Sequence, residues 1–288
     1  MLLPPAGVER LLPSDQIKPS DQLKIASWNV NSIKVRAEQV IAWLKSSETD
    51  ILFMQETKSV DENFPAALFE AAGYHIHCHG QKTYNGVAVA TRVELDDVRT
   101  GLPMLADSMD DEQARYIEVD CSGMTMAGLY MPNGNPVLDE AGEHHPKFTY
   151  KLDWMKRLNH HAIALQQGKK PVLFCGDFNI IPNAADCWDE DVWKGDALYH
   201  PETLAAFRTM CWSGYTDVFR AIHPGVIAYS FWDYQGGAWQ KDNGIRIDHI
   251  MTNPEATDRV RAVGIDKTPR GQERASDHTP VWCVLAQS

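Results

Sequence analysis

The sequence predicts an α/β fold built on mixed β-sheets within a single domain, and three observations predict it. Short apolar runs of strand length alternate with amphipathic helical stretches along most of the chain. Two of the runs, Tyr116 to Asp120 and Met124 to Tyr130, are joined by Cys121-Ser122-Gly123, a hairpin signal, and hairpins mixed with helical crossovers imply mixed sheets. No internal repeat, low-complexity linker or change of composition divides the 288 residues.

Residues 1–22 are rich in proline and polar groups and lack the basic start and unbroken apolar stretch of a secretory signal. They are expected to form a flexible extension, with residues 23–288 as the domain. Leu23 to Trp28 reads as the first strand, and Ala37, Val40, Ile41 and Leu44 then recur at helical spacing. Ile51 to Gln55 is a continuous apolar second strand; Phe64, Leu68 and Ala71 suggest a helix that Gly73 stops. Strands follow at His75 to Cys78 and Gly86 to Thr91, then the hairpin. Pro146 suits the first turn of a long helix running through Tyr150, Leu152, Met155 and Leu158 to Gly168. Val172 to Cys175 is strand-like, Glu202 to Cys211 helical, Gly244 to Asp248 strand-like, and Pro280 to Ala286 a final strand.

The composition limits the function classes. A hydrophobic content of 44% supports a substantial core, and no run approaches membrane-spanning length. Six cysteines without a Cys-x-x-Cys pair, two of them inside apolar runs, point to reduced thiols in a cytoplasmic protein. The net charge of −12 works against a nucleic-acid partner, since phosphate neutralisation favours a basic protein. Its distribution softens that objection. Lys58, Lys82, Arg115, Arg246, Arg270 and Arg274 lie in or beside the polar motifs, whereas residues 107–112 and 186–191 read as solvated acidic loops.

Those motifs are polar clusters at the ends of apolar runs. They are Asn29-Val30-Asn31, Gln55-Glu56-Thr57-Lys58, Tyr130-Met131-Pro132-Asn133, Gly176-Asp177-Phe178-Asn179, and Asp248 with the later Ser276-Asp277-His278. Hard oxygen ligands with one histidine suit Mg²⁺-assisted attack on a phosphate. Each cluster also has a plainer reading. Glu56 could be a loop charge or a metal ligand balanced by Lys58. Asp177 and Asn179, two apart and so facing the same way, could form an Asx turn or serve phosphoryl chemistry. Asn29, Asn31 and Asn133 could be turn formers, and Tyr130 a core residue. Adjacent strand residues face opposite sides, so Asp248 rather than Asp277 is the better partner for His278, leaving Asp277 to a metal shell. His75, His77 and His79 alternate, but soft ligands at matching spacing for zinc are missing. The aromatic run Tyr229, Phe231, Trp232, Tyr234 enters Gln235-Gly236-Gly237, so part of it could be a stacking surface.

In this order the motifs resemble the exonuclease III family of apurinic/apyrimidinic endonucleases, within the endonuclease/exonuclease/phosphatase superfamily. The resemblance spans Leu23 to Val284 and includes Arg246-Ile247-Asp248 and Ser230-Phe231-Trp232. It implies a four-layer sandwich, two mixed β-sheets face to face with helices outside. It also implies a Mg²⁺-dependent phosphodiesterase, with Mn²⁺ as the alternative metal. The substrate would be double-stranded DNA with abasic sites or 3′ ends, and a monomer is expected, with no membrane partner. Glu56 would be the principal metal ligand, supported by Asn29, Asn31 and Asp277. Asp177 would activate water or protonate the leaving oxygen, with Asn179 holding it. His278, oriented by Asp248, would bind the phosphate or shuttle a proton. Tyr130 and Asn133 would contact the phosphate, Lys58 and Arg246 would serve substrate binding, and Phe231 with Trp232 would pack the abasic sugar. The chain departs from the human-type branch at Asn31, where that branch has aspartate, and at Gly134-Asn135-Pro136, which lacks the arginine some relatives insert into DNA. Two other readings stand beside this one: a superfamily phosphoesterase for RNA or inositol and lipid phosphates, and a non-catalytic binding relative.

Overall fold

The structure is a computed structural model that describes residues 21–287. Strand β1 (Gln22–Asn29) leads through helix α1 (Ile33–Ser47) to β2 (Ile51–Gln55), and a short α2 (Ala66–Glu70) precedes β3 (His75–His79) and β4 (Val87–Thr91). Strands β5 (Asp97–Thr100), β6 (Tyr116–Cys121) and β7 (Met124–Tyr130) follow, then α3 (Pro146–Gln166) and β8 (Val172–Asp177). After these come α4 (Glu190–Trp193), α5 (Pro201–Trp212), β9 (Thr216–Asp217), α6 (Val218–Ile222) and α7 (Ala238–Lys241). The chain ends in β10 (Asp248–Thr252), α8 (Pro254–Thr257), β11 (Val260–Ile265) and β12 (Val281–Ala286).

The strands form two six-stranded sheets, ordered β11-β12-β1-β2-β4-β3 and β5-β6-β7-β8-β10-β9. In each sheet one central pair is parallel, β1 with β2 and β7 with β8, and every other pairing is antiparallel. The mixed sheets expected from hairpins plus crossovers are therefore present. Gln22, assigned to the extension, instead opens β1 and pairs with Ala286. The rest of that expectation, residues 1–20, lies outside the described residues.

Alternation explains why the strands read as unbroken apolar runs. Leu23 and Ile25 of β1, Ile51 and Phe53 of β2, and Leu173 and Cys175 of β8 face the interior between the sheets. Their neighbours Ala26, Trp28, Leu52 and Met54 face outward onto α1 and α2, while Phe174 packs under α3 and α5. Both faces of each central strand are buried, as a layered α/β architecture requires. The result is helices, sheet, sheet, helices. Proline at the first turn opens both α3 and α5, and a histidine side chain caps each. The helix expected over Phe64 to Ala71 shortens to α2, because Pro65 ends the turn before it and Gly73 (φ +86°) reverses the chain after it. Strands β5, β9 and β11 carry little continuous apolar sequence and were not expected.

The run Gly244 to Asp248 needs correction. It is not a strand ending in Asp248; Asp248 begins β10, whose apolar residues follow it. Because β10 runs antiparallel to β8, its start pairs with the end of β8, Asp248 opposite Asp177.

Candidate active site

The carboxyl ends of β1, β2, β7 and β8 reach one rim, and the polar clusters stand there. Asn29 and Asp177 are the last residues of β1 and β8, Tyr130 is the last of β7, and Glu56 follows β2 directly. On their strands Asn29 and Asp177 continue the inward-facing series, which brings them together between the sheets. The Asn29 Nδ2 donates to Glu56 Oε1 at 2.9 Å and to Asp177 Oδ2 at 3.0 Å. One amide thus bridges the two carboxylates. Its Oδ1 accepts the Asn31 backbone N–H at 3.0 Å. As placed, Asn29 bridges the two carboxylates through its amide nitrogen, and its oxygen accepts one backbone N–H.

Asn31 extends the network outward. Its Nδ2 donates to Asp277 Oδ1 at 3.0 Å, and its Oδ1 accepts from Lys58 Nζ at 2.5 Å. Lys58 also pairs with Glu56 Oε2 at 2.8 Å. Asn31, Glu56, Lys58 and Asn179 all adopt left-handed backbone, φ from +43° to +51°. For residues with a Cβ this conformation costs about 1–3 kcal/mol each, and it gathers where surrounding structure overrides it. Here the override is visible: Val30 N–H bonds Gln55 O, and Ser32 N–H bonds Glu56 O, stitching the two strand ends together.

His278 lies across the cleft, buried, with Nδ1 2.8 Å from Asp248 Oδ2 and Nε2 3.7 Å from Asp177 Oδ2. Asp248, not the adjacent Asp277, reaches the imidazole. Burial opposes charge on His278, but the Asp248 and Asp177 carboxylates outweigh it and push the imidazole up to about 10. For Asp177, burial is the largest influence and raises its carboxyl to about 7, with His278 pulling the other way. Glu56 behaves oppositely. Burial would raise it, yet the bonds from Asn29 and Lys58 hold it below the ordinary carboxylate value. Two neighbouring acids with separated proton affinities are what acid–base division of labour needs.

Asn179 closes the floor. Its backbone N–H donates to Asp177 Oδ1 at 2.9 Å, its Nδ2 to Met131 O at 2.9 Å, and its Oδ1 accepts from Asn133 Nδ2 at 3.2 Å. The Tyr130 ring is capped by the Arg115 guanidinium, 4.6 Å from its centroid. Burial first, then Glu56 and Asp177, drives the Tyr130 phenol well above its ordinary value, so it stays protonated as a donor. Phe231 stands edge-on to His278 with centroids 4.9 Å apart.

Two expected substrate contacts are elsewhere. Arg246 is fully buried behind β10, where Asp186, Asp217 and His249 occupy its guanidinium. Trp232 is only 1% exposed; its indole N–H donates to Asp242 and its ring meets Trp239. Buried there, it does not line the cleft. Both look like site residues in the chain because they neighbour Asp248 and Phe231, but Trp232 turns its ring to Trp239 and Arg246, in the irregular segment before β10, turns to the buried aspartates.

The sequence reading passed over three groups that shape the site. Arg36 on α1 donates to Val30 O and Asn31 O and to Ala275 O, fastening the first motif to the last. Ser230 Oγ accepts the N–H groups of Ile247 and Asp248. Lys151 on α3 is fully buried and donates to Asn133 O at 3.0 Å and Asn179 O at 2.7 Å. Burial lowers its ammonium to about 7 against the pull of Asp196 and Asp177. The available signal was a charge on an apolar helix face, since Lys151 follows Phe148 at i+3 and precedes Met155 at i+4.

The donor set fits a hard divalent cation. Glu56, Asp177, Asp248 and Asp277 crowd one cleft against the positive charges of Lys58 and His278, and all the donors are oxygen. Asp177, Asp248 and His278 have ligand-type atoms within 4.8 Å of one another. A protonated imidazole has no lone pair for a metal, so the better anchor is Glu56, whose side chain is 19% exposed at the cleft mouth.

The endonuclease/exonuclease/phosphatase family matches residues 26–278 of this chain. The chain belongs to that family. Exodeoxyribonuclease III of Haemophilus influenzae is 31% identical over 271 residues, 90% of this chain and 98% of the relative. An AP endonuclease from Archaeoglobus fulgidus superposes with a TM-score of 0.83 at 36% identity, covering 91% and 99% of the two chains. The 3′ phosphatase NExo from Neisseria, bound to product DNA hairpin, gives 0.84 at 37% identity, covering 91% and 98%. The exonuclease III resemblance and the four-layer fold are both shown by these likenesses.

Proposed function

We propose that this DNA-repair nuclease hydrolyses the phosphodiester 5′ to an abasic site in duplex DNA, leaving a 3′-hydroxyl, and clears 3′ ends at the same centre. The observation that carries the reading is the Asn29 amide, which holds the metal-side carboxylate Glu56 and the water-side carboxylate Asp177 on one nitrogen. Asp177, with a proton affinity near neutrality, takes the proton of the attacking water. The water oxygen bonds to phosphorus, the P–O3′ bond breaks, and the departing O3′ alkoxide takes a proton from solvent to become the 3′-hydroxyl. His278 keeps its proton and presents Nε2–H to a phosphate oxygen, while Asp248 fixes the ring. Tyr130 and Asn133 donate to the remaining phosphate oxygens, and Phe231 offers an apolar wall to a sugar without its base. Mg²⁺, with Mn²⁺ as the alternative, would be held by Glu56 with Asp277 beside it and would offset charge developing on the phosphate. The six free thiols support a cytoplasmic location, and we take the chain to act as a monomer.

The test is a labelled duplex with one abasic analogue, beside an intact duplex and a 3′-phosphate duplex, each with Mg²⁺ or EDTA. Preferential abasic incision that EDTA abolishes is the expected result. Inertness on all three DNAs, with turnover of RNA or inositol phosphates, would overturn it in favour of another phosphoesterase. Asp177→Asn and His278→Ala should each lower kcat by roughly 10²–10⁴-fold with smaller changes in KM. Asp177→Asn turning over at the wild-type rate would remove it from the mechanism.

A further inference from the structure

The loop joining β3 to β4 is built against the Glu56 side of the cleft and carries an exposed aromatic at its tip. Gly86 O accepts the Thr57 N–H at 3.1 Å, and Asn85 O accepts the Lys58 N–H at 3.0 Å. Gly86 is close-fitted there, since a Cβ on it would lie 2.2 Å from Thr57 Oγ1. A second set of bonds reaches the opposite side of the cleft. The Asn85 Nδ2 donates to Gln81 Oε1 and Gln113 Oε1, at 2.9 and 3.1 Å. Gln113 Oε1 also accepts from Arg115 Nε at 2.9 Å, and Arg115 Nη1 donates to Tyr130 O at 3.2 Å. The loop is thus braced to both Glu56 and Tyr130. Between these braces Tyr84 is 69% exposed, with exposed Lys82 two residues before it.

We propose that Tyr84 is a substrate-selecting residue that stacks on the base left uncovered beside an abasic nucleotide or at a 3′ end. This rests on the duplex-DNA reading above and deepens it. A missing base leaves its neighbours with a bare face, and an aromatic ring beside the scissile phosphate restores that stack in a sequence-tolerant way. Asn85 is the residue after Tyr84, and its carbonyl holds the amide of Lys58, so Tyr84 stands on the loop that borders the site. Lys82 supplies the cation for a flanking phosphate, which the chain's net charge of −12 makes a needed local feature.

The experiment measures KM and kcat on an abasic duplex for the wild type, Tyr84→Ala and Tyr84→Phe. Trp212→Ala is the control, removing a more exposed aromatic (79%) from the outer helical layer. Tyr84→Ala should raise KM about tenfold with kcat changed much less, Tyr84→Phe should keep KM within about twofold, and Trp212→Ala should match the wild type. A 2-aminopurine placed next to the abasic analogue should be quenched on binding wild type and Tyr84→Phe, and less so with Tyr84→Ala. Unchanged KM and quenching in Tyr84→Ala would overturn the proposal while leaving duplex incision intact. Failure of the wild type to incise any duplex would instead overturn the proposed function, and this one with it.

Discussion

At the scale of single residues, the cleft is a set of side chains whose partners decide their protonation. Asp248 is the simplest case. Its side chain hydrogen-bonds the imidazole, so its main effect on turnover runs through His278. Asp248→Asn keeps the shape but removes the charge that raises His278, and should lower kcat by about 10²-fold with little change in KM. The pH profile supplies the check: the imidazole pKa, followed by NMR, should fall toward its ordinary value in the variant. A profile and an imidazole shift identical to wild type would make Asp248 a packing residue only. Lys151 acts at longer range, on the two carbonyls that carry Asn133 and Asn179. Lys151→Met keeps the stem and orphans both carbonyls, an expected loss of about 1–3 kcal/mol for each buried acceptor left unpaired. Chemical denaturation measures that loss, and Lys151→Met should also lower kcat more than it raises KM, because the loops it ties carry Asn133 and Asn179, to which the proposed function gives the phosphate and water contacts.

At the scale of elements, the segment before β10 is held by charge and not by a sheet. Arg246 binds Asp186 in the 3₁₀ turn Ala184–Asp186 and Asp217 at the start of α6, and Arg220 joins Asp186 from the other side. For both aspartates burial alone would raise the carboxyl, but Arg246 and its neighbours hold them below 3.8. A carboxyl depressed in the folded state contributes stability that is complete above its unfolded value and lost as pH falls through its folded one. The wild type should therefore hold its stability down to about pH 4 and lose it steeply below that. Arg246→Met should cost about 3–5 kcal/mol at neutral pH, because it leaves buried carboxylates unpaired, and should flatten the acid limb of the stability curve. Equal acid limbs would show that the pairs contribute nothing. The same element shows where reading the chain stopped. Arg246 and Asp248 are close neighbours, so their motif looked like one site; but Asp248 is the first residue of β10 and reaches His278, while Arg246, in the irregular segment before the strand, is drawn to Asp186 and Asp217. Strands with two buried faces, β1, β2 and β8, were legible as apolar runs. Edge strands β5 and β9 were not, since a strand paired on one side only can be short and polar.

At the scale of the molecule, the two sheets repeat one connection pattern. Each is a hairpin (β11-β12, β5-β6) laid beside a parallel strand–helix–strand unit (β1-α1-β2, β7-α3-β8), followed by an antiparallel pair at the other edge. The repeat is invisible in the chain because the hairpin of the first sheet is drawn from its end, β11 and β12, and because no residue pattern is shared. It explains why cleft groups arrive from segments as distant as Asn29 and His278: both parallel units point their carboxyl ends at one rim, and β12, antiparallel to β1, begins there just after His278. The site then depends on how the sheets face each other. One close contact across the seam is at Gly128 of β7, where a Cβ would fall 2.4–2.9 Å from the Phe53 side chain of β2. Phe53 is fully buried and cannot swing out, and both strands end in site residues, Tyr130 and the Gln55-Glu56 corner. Gly128→Ala should therefore strain the seam, lowering stability by about 1–3 kcal/mol, and should lower kcat because the two halves of the cleft are displaced together. Adding Phe53→Leu opens space for the new methyl group, so the double variant should be more stable than the sum of the single losses, as expected for side chains in contact. Denaturation midpoints of the four proteins decide it: strictly additive losses would mean the sheets yield locally, and the register of the cleft would not be set by this contact.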